Sequence, residues 1–331
     1  MRYRTFGRLG WQVGEIGYGM WGIGGGEGGW TGADDTTGNE ALLAAIRLGC
    51  NFFDTAWIYG RGHSERLLGG LARAVADAPP PGGLKLATKI PPKDRRWPSA
   101  RDSAIEDVFP ADHIREYVDR SLDNLGVERI DLLQFHVWED AWARDPGWQR
   151  VVADLRDQGL VEGIGISINR WEPWNVLDTL GTGLIDAVQV IYNIFDQSPE
   201  DKLFGVCAEL DIAVIARVPF DEGTLTGTLT RDSTWPEGDW RNSYFVPENL
   251  EASVARAEAL KAVLPAGVSL PALALRFILA NPQVSTVIPG MRTLAHVHAN
   301  IATSDAPPLD PAVLDELRRH RWDREPTEWS Q

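Results

Sequence analysis

Eight short apolar runs rich in β-branched and aromatic residues recur along the chain: GEIGYG (14–19), NFF (51–53), LKLAT (84–88), IDLLQF (130–135), VEGIGI (161–166), IDAVQVI (185–191), IAVIA (212–216) and VSTVI (284–288). Longer segments of helical period, such as DHIREYVDRSLDNLG and LPALALRFILAN, follow most of them. That alternation predicts parallel strands joined by crossover helices. Eight such units favour a closed α/β fold, the (β/α)8 TIM barrel, over an open sheet. No charge run or Ser/Pro linker divides the chain, so residues 1–331 are read as a single domain.

Four pieces fall outside the eight units. The stretch RYRTFGRLGWQVGEI alternates in character around Arg8-Leu9-Gly10 and predicts an N-terminal β-hairpin cap over the barrel bottom. Two stretches read as long loops, from about Pro91 to Pro110 after the third strand and TLTGTLTRDSTWPEGDWRNSYFVP after the seventh. The tail from about Pro307 carries one amphipathic helix, PAVLDELRRH. In such a barrel the loops that follow strands surround the active site, which puts both long loops beside it.

The formal charge of −15 would repel phosphate backbones and anionic headgroups, which argues against nucleic acid or a membrane surface as partner. MRYRTFGRLG has no apolar core of signal-peptide length, and no stretch has the unbroken apolar length of a spanning helix. Cys50 and Cys207 both lie in apolar surroundings, as buried reduced thiols would, and a cytoplasmic location is the default expectation. His296 and His298 are spaced i,i+2 on a helix and point to different faces, so no metal site is expected.

Three consecutive strands end in ionisable residues, Asp54 in NFFD, Lys89 in LKLATK and His136 in DLLQFH, and Tyr59 follows Asp54 in DTAWIYG. Singly, each has a plain structural explanation: a helix cap, a solvated lysine, a core histidine. Together they converge on the catalytic rim of the predicted barrel. Carbonyl reduction by hydride needs this set, because a proton must reach the oxygen as negative charge develops there. Tyrosine is a sluggish acid at neutral pH unless a cation stabilises its phenolate. Lys89 supplies a cation, Asp54 a counter-ion that aims it, and His136 an N–H for the carbonyl oxygen.

With Asp54-Thr55-Ala56, Tyr59-Gly60, Glu65, Ala87-Thr88-Lys89 and Gln134-Phe135-His136 in order, followed by GIGISIN, VQVIYN and VIPGMRTLAHVHAN, the sequence resembles the aldo-keto reductases over nearly its whole length. The resemblance implies a barrel without a Rossmann domain, a nicotinamide cofactor extended across the strand ends, and Tyr59 as general acid. It also implies that Ser167, Asn169 and Gln189 hold the carboxamide and that Arg217 stacks on the nicotinamide where many members carry an aromatic. GTLTG, with Leu225 and Gly227, would wrap the pyrophosphate. Gly290, Arg292 and His296 would meet a 2′-phosphate, and Asn300 the adenine. NADPH is therefore expected over NADH. Departures from the family pattern are Ile168, Arg217, Gly290, Met291 and His296.

A decoy stands near the start. Gly17-Tyr18-Gly19-Met20-Trp21-Gly22 matches the dinucleotide fingerprint G-x-G-x-x-G, yet the IGGGEGGWTG that follows cannot open a helix for a pyrophosphate. A loop bearing Trp21 and Trp30 is the better reading. With Trp57, Trp97 and Trp138, these tryptophans are expected to line an apolar pocket for a small carbonyl or alcohol. The competing function is a regulatory barrel that keeps the nucleotide but has little turnover.

Overall fold

The computed structural model describes residues 1–25 and 30–327. Two antiparallel strands, β1 (Tyr3–Phe6) and β2 (Trp11–Gly14), precede eight parallel ones. These are β3 (Tyr18–Gly19), β4 (Phe52–Asp54), β5 (Lys85–Ile90), β6 (Ile130–Phe135), β7 (Val161–Ser167), β8 (Ala187–Ile191), β9 (Ala213–Arg217) and β10 (Val284–Val287), adjacent in sequence order. The ring closes between β10 and the first segment. Gly17 N donates to Val287 O at 2.8 Å, Gly19 N to Pro289 O at 3.0 Å, and Val287 N to Glu15 O at 2.9 Å. The expected barrel is therefore present, although its first strand is shorter than GEIGYG suggested. The backbones approach so closely there that a Cβ on Gly19 would stand 2.7 Å from Ile288 O.

Helices cover the outside. Their ends carry the signals their sequences advertise: Asp34 caps Asp35–Arg47 by accepting from Thr37 N, Asp145 caps Pro146–Asp157, and Gly126 ends Ala111–Leu125 at φ 66°. The long loops are partly structured, because a helix spans Ile105–Val108 and another Arg241–Tyr244. The second loop has a small core of its own, in which Tyr244, Phe245, Leu250 and Val254 pack with Leu229, Trp235 and Trp240.

The β1–β2 hairpin stoppers the barrel as expected. Phe6 and Trp11 stack 5.2 Å apart and pack with Phe52, Ala87, Leu132, Ala187 and Ala213. A Cβ on Gly7, at φ 43°, would lie 2.6 Å from Ala213 N, so only glycine lets the hairpin seat. Side chains two residues apart share a strand face. The residues two places beyond Phe52, Ala87, Leu132 and Ala187 are Asp54, Lys89, Gln134 and Gln189. One apolar layer thus lies directly beneath a polar one.

Candidate active site

Lys89, fully buried, donates from Nζ to Asp54 Oδ2 at 2.5 Å and to Thr55 O at 2.8 Å. The other Asp54 oxygen accepts from Gln134 Nε2 at 2.9 Å and Gln189 Nε2 at 2.8 Å. A buried carboxylate with this many donors is held immobile. Tyr59 lies on the turn after β4, where Gly60 takes φ 63°. Its ring centroid is 5.2 Å from Lys89 Nζ, 5.9 Å from the His136 ring and 6.2 Å from Trp21. Trp97 meets His136 at 5.7 Å. The four residues expected to carry chemistry are therefore neighbours on one rim.

Burial pushes the Tyr59 phenol up from its ordinary value, opposed by the charges of Lys89 and Arg217, so the hydroxyl keeps its proton at neutral pH. Burial, then Lys89 and Arg217, hold His136 well below the usual imidazole range. The ring is accordingly neutral, with one N–H to give and one lone pair. Its Nδ1 is buried with no partner among the described residues.

Several cofactor expectations meet a different environment. Asn169 is largely engaged by the protein: Oδ1 accepts from Trp138 N at 3.2 Å, and Nδ2 donates to Trp138 O at 2.8 Å and Glu139 Oε1 at 2.9 Å. Its side chain fastens the loop after β6 and leaves a carboxamide only the second lone pair of Oδ1. Gln189 spends its NH₂ on Asp54 and Gln134, which leaves Oε1 as its group for a ligand. Arg217 donates to Ile168 O at 3.0 Å, its Nε is buried without a partner among the described residues, and burial with nearby Arg170 pulls its guanidinium down to about 10. It stays cationic at neutral pH.

In GTLTG, Leu225 N and Gly227 N donate inward to Phe220 O and Thr224 O, so those two amides do not face a pyrophosphate. The buried Thr224 hydroxyl has no partner among the described residues. With His136 Nδ1 and Arg217 Nε it gives three orphaned polar atoms along the rim and the turn after β9, which fits a polar ligand laid across these strand ends. Arg292 uses Nη2 on the carbonyls of Thr31 and Gly32, at 2.8 and 2.7 Å. Gly290 and His296 are exposed beside it, and Asn300 is buried on the inner face of the helix Leu294–Ala302.

The five tryptophans divide. Trp21, Trp30 and Trp97 stand near the rim. Trp138 does not: its fully buried indole donates to Thr179 Oγ1 at 2.8 Å and packs on Trp142 and Trp148 beneath the surface. Trp57 packs on Tyr117, its centroid 4.8 Å away, with Arg95 and Arg120 over its ring. Neither lines the Tyr59 mouth.

Pattern reading passed over Gln134 as a ligand of Asp54, Trp240 beside Trp21, and the paired arginines behind the turn after β9. Arg170 holds Glu222 at 2.7 Å, while Arg324 holds Asp196 and Asp221. The aromatic density of STWPEGDWRNSYF was the available signal for Trp240.

The family model for the aldo/keto reductases matches residues 15–321. The chain is 28% identical over 298 residues to an NADH-specific methylglyoxal reductase of Escherichia coli (87% of this chain, 89% of that protein). It is also 28% identical over 309 residues to the aldo-keto reductase YhdN of Bacillus subtilis (90% and 87%). Among solved structures, a glycerol dehydrogenase of Gluconobacter oxydans is similar at TM-score 0.75 and 26% identity, covering 98% of both chains. A holo aldo-keto reductase of Bacillus halodurans has the same fold at TM-score 0.76, 24% identity and full coverage of both. With a match this long and the strand-end residues in one cluster, the chain belongs to the aldo/keto reductase family of nicotinamide-dependent oxidoreductases.

Proposed function

We propose that this chain is an NADPH-dependent reductase of aldehydes or ketones in which Tyr59 is the general acid. The observation that carries the reading is the buried Asp54–Lys89 pair directed at the Tyr59 ring. A phenol with its proton retained by burial gives that proton up only where a cation meets the developing phenolate, and Lys89 is fixed there by Asp54 and Thr55 O, with Asp54 itself held by Gln134 and Gln189. His136, kept neutral, orients the carbonyl oxygen from beside Tyr59 and stabilises negative charge on it without competing as an acid.

A bound nicotinamide supplies the hydride. Ser167, Gln189 Oε1, the Thr224 hydroxyl and Arg217 are the residues that would hold it, and Arg292 with His296 would meet a 2′-phosphate. Arg217 has a further consequence: a guanidinium stacked on the ring repels the oxidised, positively charged form more than the reduced one.

The test is Tyr59→Phe, assayed on a carbonyl panel with both reduced cofactors and titrated for cofactor affinity. Loss of about two to four orders of magnitude in kcat with affinity retained supports the assignment. Near-normal turnover would place the acid elsewhere. Cofactor binding with no turnover in the wild-type chain would favour the regulatory barrel.

A further inference from the structure

Three loops from different parts of the barrel meet over one side of Tyr59. Thr31 Oγ1, on the loop after β3, donates to Asp239 Oδ2 at 2.8 Å. Asp239, almost fully buried on the long loop after β9, also takes two donors from Arg241, Nε and Nη2, each at 2.8 Å. Hydrogen bonding from Arg241 holds its carboxyl far below the ordinary range. The Arg241 guanidinium lies 4.4 Å from the Trp30 ring centroid, and Arg292 from the third loop closes the set through the carbonyls of Thr31 and Gly32.

This latch places a third indole in the wall beside Tyr59. Trp240 follows Asp239 directly; its ring lies 5.0 Å from Trp21 and 5.8 Å from Trp30, and Trp21 in turn stacks near Tyr59 at 6.2 Å. All three rings are half-buried. Behind them, Tyr244, Phe245, Leu250 and Val254 back Trp240 with a core of its own loop. A wall of edge-on and tilted indoles offers area and π-faces to a flat apolar group and little to a short alkyl chain.

From this geometry we infer that Trp240 is a specificity-determining residue, selecting aryl or similarly planar apolar carbonyls, and that Asp239 is a positioning residue acting through the latch. The inference rests on the carbonyl-reductase reading and names which member of that substrate class the site prefers.

Benzaldehyde and propanal, each with saturating reduced cofactor, separate the possibilities. Trp240→Ala is expected to raise KM for benzaldehyde at least tenfold with a smaller change in kcat, and to cost benzaldehyde at least five times more than propanal in kcat/KM. Trp240→Phe should recover most of that preference. Thr31→Val, which deletes the shorter, hydroxyl hydrogen bond of the latch but leaves the 3.4 Å bond from Thr31 N and the pairing of Asp239 with Arg241, should shift selectivity in the same direction as Trp240→Ala, with cofactor affinity and Tm close to wild type. Equal losses on both aldehydes in Trp240→Ala, or an unaltered benzaldehyde preference in Thr31→Val, would overturn the respective assignment. Wild-type turnover of both aldehydes without preference would overturn the inference alone, whereas absence of turnover on either would overturn the function beneath it.

Discussion

Lys89 Nζ stands between two partners of opposite demand, 2.5 Å from Asp54 Oδ2 and 5.2 Å from the centroid of the Tyr59 ring. The short contact fixes the ammonium, and the longer one is where its charge is used.

Replacing Lys89 with Met removes both at once. Asp54 is then a buried carboxylate without its cation, which is expected to cost about 3–5 kcal/mol of stability, and turnover should fall by roughly 10²–10⁴. Adding Asp54→Asn removes the stranded charge, so the double variant should regain stability in denaturant melts while remaining inactive. Recovery of turnover in the double variant would show that the cation is dispensable.

His136 is held neutral in the folded chain, mainly by burial. The unfolded chain takes up a proton below its ordinary pKa near 6.5. There the unfolded state binds more protons than the native one, and stability falls as pH is lowered from about 6.5 toward the depressed native value. His136→Gln should flatten this dependence between about pH 5 and 6.5. Identical slopes for the two proteins in urea titrations across that window would rule out His136 as the source.

For cofactor choice the informative residue is Arg292, whose Nη2 is taken by Thr31 and Gly32. If its remaining donors meet a 2′-phosphate, Arg292→Ala should weaken NADPH by about 1.5–3 kcal/mol and NADH far less. Fluorescence titration with both cofactors checks this. Equal losses would make the side chain a tether of the loop after β3 and remove the main support for NADPH preference.

Arg324 is buried between Asp196 and Asp221, 2.7 Å from the latter. Arg324→Ala strands two carboxylates and is expected to lower stability by about 3–5 kcal/mol at pH 7. Carboxylates buried without a cation have raised native pKa values, so the native state binds more protons and the deficit should shrink as pH is lowered toward 5. A deficit that does not change over that range would mean the two aspartates are not the cause.

Strand order, hairpin and the Asp54, Tyr59, Lys89, His136 set were legible because short bounded apolar runs and the ionisable residues at or just after their ends follow directly from barrel geometry. Trp57 and Trp138 were misplaced for a common reason. Both follow a strand closely, but the local backbone turns their indoles away from the mouth, toward Tyr117 and Thr179, and sequence does not report that direction. The type of Asn169 suits a carboxamide, but the partners of its NH₂ on the loop after β6 lie some thirty residues earlier in the chain and were not legible. Arg324 was invisible because its partners are 103 and 128 residues away.

The layer made by Phe6, Trp11, Phe52, Ala87, Leu132 and Ala187 has a consequence for charge as well as for packing. It lies one side-chain step, roughly 6.6 Å along each strand, beneath Asp54, Lys89, Gln134 and Gln189. It therefore acts as insulation: with a buried apolar layer below, the field of Lys89 is screened little on that side and is directed toward the phenol above it. A substitution that loosens the barrel floor, Phe6→Ala for instance, would let solvent up to the underside of the ion pair. Acidity at the mouth is thereby tied to dryness at the floor.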